Sequence, residues 1–253
     1  MSADPLAWPE GYARHVLAEV DSTNSEAARL APGLTQPTWI MARRQTAGRG
    51  RRGRVWIAPE GNFAATLIFR PSGDPLQAAL RSFVAALALA DTLGLLCGPH
   101  AALTLKWPND VLLNGGKVAG ILLESAGQGA AVSHLIIGVG VNLVAAPPRE
   151  AVEPGAMQPV SVLGETGLIL SQDDFLAALA AAYARWEAQF TTYGFAPIRT
   201  AWLNRAARLG QVIVARTVSE TIEGTFETIG GDGALILKTG AGRRAIPAAD
   251  VFF

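Results

Sequence analysis

The sequence predicts a mixed α/β fold, of the α+β kind, in which one large domain is followed by a small β module. Half of the 253 residues are hydrophobic and 17% are charged, which is ample for a core and argues against disorder. Strand-like runs and two long helical stretches fill the first part of the chain. After Arg208 the pattern changes to short strands broken by glycine turns, which favours a small barrel. We therefore predict two domains, 1–205 and 206–253.

The large domain is predicted to begin with a helix and a pair of strands. In "DSTNSEAARLA", Asp21 or Ser22 can cap the helix. The run "TWIMARR" predicts a strand that enters an arginine-rich loop, and "NFAATLIFRP" predicts the strand that leaves it. From Pro75 to Leu96 the chain is rich in alanine and leucine, with proline tolerated in the first turn, so we predict a helix.

Three further strands are predicted from "LTLKW", "KVAGILLES" and "VSHLIIGVGVNL". The proline-rich connection "AAPPREAVEPGAMQP" separates them from a second long helix, Gln172 to Tyr193. In the β module the predicted strands are "QVIVART", "ETIEGTFETI", "GALILKT" and "RRAIPAADVFF".

Composition and charge exclude several classes of protein. Lys+Arg and Asp+Glu are balanced at 21 each, whereas a dedicated nucleic-acid binder usually has a basic excess. The single cysteine, Cys97, cannot form an internal disulfide, which suits a reducing cytoplasm. The N-terminal sequence does not resemble a signal peptide, and the longest apolar segment, Phe83 to Cys97, is interrupted by Asp91. We expect a soluble, cytoplasmic protein without membrane association.

The stretch "RRQTAGRGRRGRVW", Arg43 to Trp56, carries six arginines among glycines. Its G-x-G-x-x-G pattern is not a dinucleotide fingerprint, because the following "RVWIAPEGN" cannot begin the helix that such a site needs. Glycine permits a mobile backbone, while arginine offers forked donors to phosphate and carboxylate oxygens. We interpret the stretch as a loop that orders around an anionic ligand, with a solvated basic hairpin as the alternative.

A second polar cluster lies in "LKWPNDVLLNGGKVAGILLES". Pro108-Asn109-Asp110 predicts a turn between two strands, and Lys106 and Lys117 flank the Asp110 carboxylate. Two cations around one carboxylate favour a ligand site over an ordinary hairpin.

With these stretches in view, the chain resembles the biotin–protein ligases, specifically the short type without a DNA-binding domain. "DSTN", "QTAGRGRRGRVW", "KWPNDVLLNGGKVAGIL" and "GVGVNL" occur in the family's order and spacing. The resemblance implies a mixed-sheet catalytic domain of the biotin/lipoate ligase type and a C-terminal SH3-like barrel. It implies that ATP and biotin form biotinyl-5'-AMP, which then modifies a lysine of a biotin carboxyl carrier domain.

The resemblance also implies the site residues. Biotin binding is assigned to Ser22, Thr23, Asn24, Gln45, Gly48, Arg49, Gly50, Arg51, Lys117 and Gly120. ATP and adenylate binding is assigned to Arg49, Arg51, Arg52, Arg54, Trp56, Lys106, Asn109 and Asn142. The catalytic residues are expected to be Arg49, Lys117 and Asp110, where Asp110 either orients the acceptor amine or contacts Mg²⁺. For Trp56, packing in the core is the alternative to binding the adenine. We expect Mg²⁺ to accompany ATP, no structural metal, and a chain that allows a homodimer.

Other readings are weaker. Only 20 residues precede Asp21, and Pro5, Pro9 and Gly11 interrupt them, so we expect neither a winged helix nor specific DNA binding. Lipoate ligases and octanoyl transferases share the chemistry, but their signatures differ from "GRGRRGR" and "KWPND". A non-catalytic nucleic-acid binder would have aromatic residues between its arginines. A serine hydrolase lacks support because no G-x-S-x-G occurs and His15, His100 and His134 have no evident partner.

Overall fold

The computed structural model describes residues 5–71, 75–99, 101–126, 132–153 and 155–253. Within them, a seven-stranded sheet forms the centre of the large domain. Its strands are β1 (Ala13–Val20), β2 (Thr38–Gln45), β3 (Phe63–Phe69), β4 (Leu103–Lys106), β5 (Asp110–Leu113), β6 (Gly116–Ala126) and β7 (His134–Val141). Their order is β1-β2-β3-β7-β6-β5-β4, with β1 parallel to β2 and every other pair antiparallel. The predicted mixed sheet is confirmed.

Helices cover both faces of this sheet. They are α1 (Thr23–Leu30), α2 (Pro75–Ala79), α3 (Arg81–Cys97), α4 (Val162–Thr166), α5 (Gln172–Tyr193) and α6 (Phe195–Leu203). Trp39 and Met41 of β2 belong to the main core with α3 and α5, whereas Ile40 packs with Ala27 of α1. Alternate residues of a strand face opposite sides, so α1 lies on the face away from α3.

The helix predicted from Pro75 to Leu96 is divided at Leu80 into α2 and α3. Together these two helices are long and apolar enough to cross a membrane, but 67% of the relevant window is buried inside the protein. Burial of this kind is typical of a core helix, and α3 contacts both α5 and the sheet.

The C-terminal module is a five-stranded antiparallel sheet in the described chain, and its SH3-like class is confirmed. The strands are β8 (Val212–Arg216), β9 (Thr221–Ile229), β10 (Leu235–Thr239), β11 (Gly242–Ile246) and β12 (Asp250–Phe252), in the order β11-β10-β9-β8-β12. The Trp107 indole Nε1 donates to the Gly233 carbonyl at 3.0 Å, which fixes the module to the large domain. The predicted boundary between residues 205 and 206 falls between α6 and β8 and stays a prediction.

The sequence patterns missed four elements, β1, β5, α4 and α6, and predicted β11 and β12 as a single strand. Strand β1 is the edge of the sheet and is mostly solvent-exposed, so its sequence lacks a clear apolar alternation. The cap prediction needs a correction as well. Ser22 holds the N-cap position of α1, but its side chain makes no capping hydrogen bond to the described helix. Asp21 instead accepts the Ser22 N–H at 2.8 Å and pairs with Arg29.

Candidate active site

A cavity of about 590 Å³ opens where strand ends of the large sheet meet the glycine-arginine loop, residues 48–54. Two further segments complete its wall: the strap, defined as residues 147–153 and 155–159, and strand β12. Of the residues predicted from sequence, all line this cavity except Gly48 and Arg52. The cavity therefore brings together groups that the chain separates by more than a hundred residues.

One end of the cavity presents carboxamide groups. Thr23 donates both its backbone N–H (2.8 Å) and its hydroxyl (3.1 Å) to Gln45 Oε1. Because that oxygen is already used, the Nε2 amino group of Gln45 is the part left to face a ligand. The Ser22 hydroxyl, which does not cap α1, lines the same end.

A second carboxamide, that of Asn24, is held on both sides. Asn24 Nδ2 donates to Glu124 Oε2 at 2.6 Å, and the Thr66 hydroxyl donates to Asn24 Oδ1 at 2.7 Å. Asn24 is only 4% exposed, and a Cβ at Gly138 would lie 2.3 Å from its Oδ1. Gly138 is therefore required for the carboxamide to fit against the sheet. This end of the cavity offers amide donors to an acceptor atom of a ligand.

The glycine-arginine loop is a tight hairpin. Gly50 N donates to the Arg54 carbonyl at 2.8 Å, and Trp56 N donates to the Gly48 carbonyl at 3.0 Å. Arg52 has a φ of 55° and Gly53 a φ of 72°, both in the left-handed region that a turn of this kind demands. A Cβ at Gly48 would lie 2.7 Å from the Trp56 carbonyl oxygen, so Gly48 shapes the hairpin without lining the cavity.

Two carboxylates that the sequence patterns did not reveal pair with this loop. Arg52 Nη1 and Arg54 Nη2 lie 2.7 Å and 2.8 Å from Asp250 Oδ2 on β12. Arg54 Nη2 also lies 2.9 Å from Glu153 Oε2 of the strap, and Arg216 of β8 contacts Glu153. Loop, strap and C-terminal module thus meet in one ionic junction. No spacing rule could have found it, because its members are up to about 200 residues apart in sequence.

The junction should restrain the loop in the empty protein. Burial alone would raise the pKa of Asp250, but the hydrogen bond from Arg54 and the nearby arginine charges hold it below its usual value. A lowered carboxyl pKa means that the pairing is fully present above the unfolded value near 3.9 and is lost only as the pH falls through the folded value. The junction is therefore intact at neutral pH.

We expect Asp250→Asn to expose the loop to trypsin, which cleaves after arginine. Losing a partly exposed ion pair costs about 1 kcal/mol, so cleavage between residues 49 and 54 should accelerate roughly fivefold. The measurement is limited proteolysis at neutral pH with the peptides identified by mass spectrometry. Glu220→Gln is the matched control, because it breaks an exposed pair with Arg244 in the same module. Equal cleavage rates for Asp250→Asn and the unmodified protein would contradict the junction's role.

The opposite end of the cavity is cationic. The hairpin between β4 and β5 places Lys106 directly across from Asp110, and Lys117 Nζ lies 2.7 Å from Asp110 Oδ1. Lys106 is only 9% exposed, and burial lowers its pKa while the Asp110 charge raises it. Arg51 joins this group through Asn109 Oδ1 at 3.3 Å. Three cations surround one carboxylate, which leaves positive potential for an incoming anion.

Glycines of β6 and β7 form the floor between the two ends, and Trp56 lies on it. A Cβ at Gly140 would lie 2.5 Å from Trp56 Nε1, and one at Gly120 would lie 3.3 Å from the same ring. Trp56 Nε1 and Asn142 Oδ1 are both buried and have no hydrogen-bond partner among the described residues. Unpaired buried polar atoms that line a cavity indicate contacts reserved for a ligand.

The strap also holds Lys117 through its backbone. Lys117 N donates to the Gln158 carbonyl at 2.7 Å, and Val160 N donates to the Lys117 carbonyl at 3.0 Å. A Cβ at Gly116 would lie 2.3 Å from Val160 Cγ1, so glycine is needed for this close approach. The proline-rich composition of this segment predicted only a connection between the strands and the second long helix, and it gave no sign of a role in the site.

Neither of the two described histidines lines the cavity. His15 lies on the exposed edge strand, and His134 Nε2 accepts a hydrogen bond from Arg70 at 3.3 Å, while His100 lies outside the described residues. The described chain contains no cluster of three or more His, Cys, Asp or Glu side chains that could hold a metal ion.

Comparison with known proteins finds similar sequences and structures over most of the chain. Residues 16–142 match the family described as "Biotin/lipoate A/B protein ligase family", and residues 209–253 match "Biotin protein ligase C terminal domain". A biotin--[acetyl-CoA-carboxylase] ligase of Paracoccus denitrificans is 63% identical over 238 residues, covering 94% of this chain and 99% of the relative. The bifunctional ligase/repressor BirA of Bacillus subtilis is 32% identical, covering 92% and 71%. A biotin protein ligase from Aquifex aeolicus in complex with biotin and ATP superposes with a TM-score of 0.76 at 26% identity, covering 94% and 97%.

Proposed function

The chain belongs to the biotin/lipoate A/B protein ligase family as a biotin protein ligase, and on this premise we propose how its cavity works. The enzyme activates biotin with ATP and transfers it to a carrier lysine. A carboxylate oxygen of biotin attacks the α-phosphorus of ATP, and pyrophosphate leaves. The acceptor amine then attacks the acyl carbon of biotinyl-5'-AMP, and AMP leaves. The observation that carries this assignment is the cavity itself, with amide donors and a cluster of cations among the groups that line it.

The amide end fits the ureido ring of biotin. A ureido group has one carbonyl acceptor and two N–H donors. The amino groups of Asn24 and Gln45 suit the carbonyl oxygen, and the hydroxyl of Ser22 suits an N–H. Gly138 leaves the space in which this set can pack.

The cationic end fits the reacting carboxylate and phosphates. These two anions repel each other, so a site that joins them must neutralise both and stabilise the charge that develops on pyrophosphate. Lys117 and Lys106 supply fixed charge, and Arg49 and Arg51 supply forked donors from the loop. Trp56 and Asn142, with their unpaired buried atoms, are assigned to the adenine.

Asp110 is best suited to positioning Lys117. Its carboxylate is already paired with Lys117 at 2.7 Å and lies opposite Lys106, so a resident magnesium ion there would compete with two ammonium groups. These residues do not fit a dedicated metal site, and the steps above do not depend on one. We assign Mg²⁺ to the ATP that enters, whose phosphates are its preferred ligands.

The partner is the biotin carrier domain of a carboxylase, by analogy with the acetyl-CoA-carboxylase ligase that this chain resembles. Cytoplasmic location and the absence of specific DNA binding stay predictions, as does a homodimer. Lipoate ligases belong to the same broad family, so the choice of acyl substrate is the first property to test.

The test combines two measurements. Pyrophosphate exchange into ATP should depend on biotin and should not respond to lipoate. Mass spectrometry of a biotin carrier domain incubated with enzyme, ATP and biotin should show addition of one biotinyl group. A carrier whose acceptor lysine is replaced by arginine is the control. Pyrophosphate exchange that depends on lipoate and does not respond to biotin would contradict the assignment.

A further inference from the structure

Glu124, on β6 outside the cavity wall, connects the two parts of the site that recognise and retain the substrate. Its Oε2 accepts from Asn24 Nδ2 at 2.6 Å, and the same oxygen lies 3.6 Å from Arg49 Nη2 of the loop. The carboxylate is 38% exposed, whereas the Asn24 residue it holds is 4% exposed. Motif analysis did not single out Glu124, because its contacts span about a hundred residues of sequence.

The contact with Glu124 determines the orientation of the Asn24 carboxamide. An amide can present either its oxygen or its amino group to the cavity. A partner that can both donate and accept a hydrogen bond does not fix which of the two faces the cavity. Thr66, on the other side of Asn24, is such a partner, because a hydroxyl can donate or accept. An ionised carboxylate can only accept. Of these two contacts, only that of Glu124 fixes which end of the carboxamide carries the amino group.

We infer that Glu124 is a positioning residue that locks the Asn24 amino group and thereby makes the enzyme select a carbonyl oxygen on the ring of its substrate. This inference rests on the proposed function, in which Asn24 meets the ureido group of biotin. The amino group has two hydrogens, so one remains for the ligand after Glu124 has accepted the other. Loss of the lock lets the carboxamide turn and offer its oxygen to a ligand donor instead.

A biotin analogue tests the orientation of the Asn24 carboxamide directly. In 2-iminobiotin an imino group replaces the ureido carbonyl oxygen, which makes the ring head a cyclic guanidine. A guanidine is protonated at neutral pH, so the ring presents N–H donors and a positive charge where biotin presents a neutral acceptor. Its carboxylate is unchanged, so both compounds can be activated by the same steps. In the unmodified enzyme the analogue places a donor against the locked amino group of Asn24. We expect strong discrimination in favour of biotin, measured as the ratio of kcat/KM values in ATP–pyrophosphate exchange.

The variants separate orientation from volume and charge. Glu124→Gln keeps the size of the side chain, but its amide can donate or accept, so Asn24 is free to turn. The ratio of the kcat/KM value for biotin to that for 2-iminobiotin should fall about 10–100-fold, the range expected when a buried donor faces another donor and is left unpaired. Most of the change should lie in KM. Glu124→Asp restores an acceptor-only partner and should recover discrimination. Charge effects through Glu124 and Arg49 act on the two compounds differently, because only 2-iminobiotin carries a positive charge on its ring. Loss of the Glu124 carboxylate by itself disfavours the cation and raises the ratio, so a fall in the ratio reports the turn of Asn24.

Glu220→Gln, which changes an exposed carboxylate paired with Arg244, is the control and should leave the ratio unchanged. An unmodified enzyme without biotin-dependent exchange would reject the proposed function itself. If that exchange is present but Glu124→Gln discriminates as strongly as the unmodified enzyme, the inference about Glu124 is wrong while the function stands. Equal relaxation in Glu124→Gln and Glu124→Asp would also overturn it, because an acceptor-only partner should restore the lock.

Discussion

Lys117→Ala is expected to lose biotinyl-adenylate formation by 10²–10³-fold or more, the usual cost of removing one preorganised charge donor from a reacting centre. Three observations support this role for Lys117. Its ammonium is 2.7 Å from Asp110, its backbone is bonded on both sides to the strap, and it lines the cavity. It is therefore held still before the substrate arrives. The measurement is biotin-dependent pyrophosphate exchange at saturating ATP.

The fold should survive this change. The Lys117 side chain is 31% exposed, and Lys106 remains opposite Asp110 to offset the carboxylate. Circular dichroism melting curves should confirm that the variant unfolds cooperatively. Lys238→Ala, at an exposed lysine of β10, is the matched control and should keep full activity. Near-normal pyrophosphate release from Lys117→Ala would show that its assigned role is wrong.

Arg49→Gly should make the adenylate but release it early, so that bystander proteins become biotinylated. Arg49 differs from its neighbours because its nearest carboxylate, Glu124, is 3.6 Å away and its side chain is 48% exposed, whereas Arg52 and Arg54 are tied to Asp250. Its guanidinium is therefore less committed to protein carboxylates than those of Arg52 and Arg54, and it is available to the ligand. Losing one charge-assisted contact should reduce retention about 10–100-fold, corresponding to roughly 1.5–3 kcal/mol.

Streptavidin blotting of a mixture of unrelated proteins measures this release, with variant and unmodified enzyme compared at equal ATP and biotin. Arg44→Gly is the control, because Arg44 is exposed and pairs with Glu19 outside the cavity. Labelling should rise only in Arg49→Gly. A variant that forms adenylate at the normal rate and labels bystanders no more than the unmodified enzyme would exclude a retaining role for the loop.

Much of the site could be predicted from the sequence because several of its residues lie close together along the chain. Lys106, Asp110 and Lys117 lie on consecutive strands joined by short turns, so their pattern alone places them near one another. The long buried helices α3 and α5 and the strands β2, β3, β6 and β7 were likewise predicted from their apolar patterns, whereas the short buried strand β5 was missed. Contacts made across long distances in sequence left no such pattern. Glu124, Glu153 and Asp250 are ordinary acidic residues until the fold brings them to Asn24, Arg54 and Arg52. Arg52, predicted to bind adenylate, pairs with Asp250 and does not line the cavity, and its role in binding stays a prediction.

The glycine floor has a consequence for how this enzyme can evolve. Every replacement of glycine adds at least one carbon, and at Gly138 and Gly140 that carbon would meet Asn24 or Trp56 within 2.3 Å and 2.5 Å. No single substitution at either position is a small step, because the smallest one already collides with a residue assigned to a substrate. A lineage drifting towards a different acyl substrate would have to change Asn24 or Trp56 first and the floor afterwards. The need for glycine at positions 138 and 140 therefore constrains the order of mutations as well as their identity.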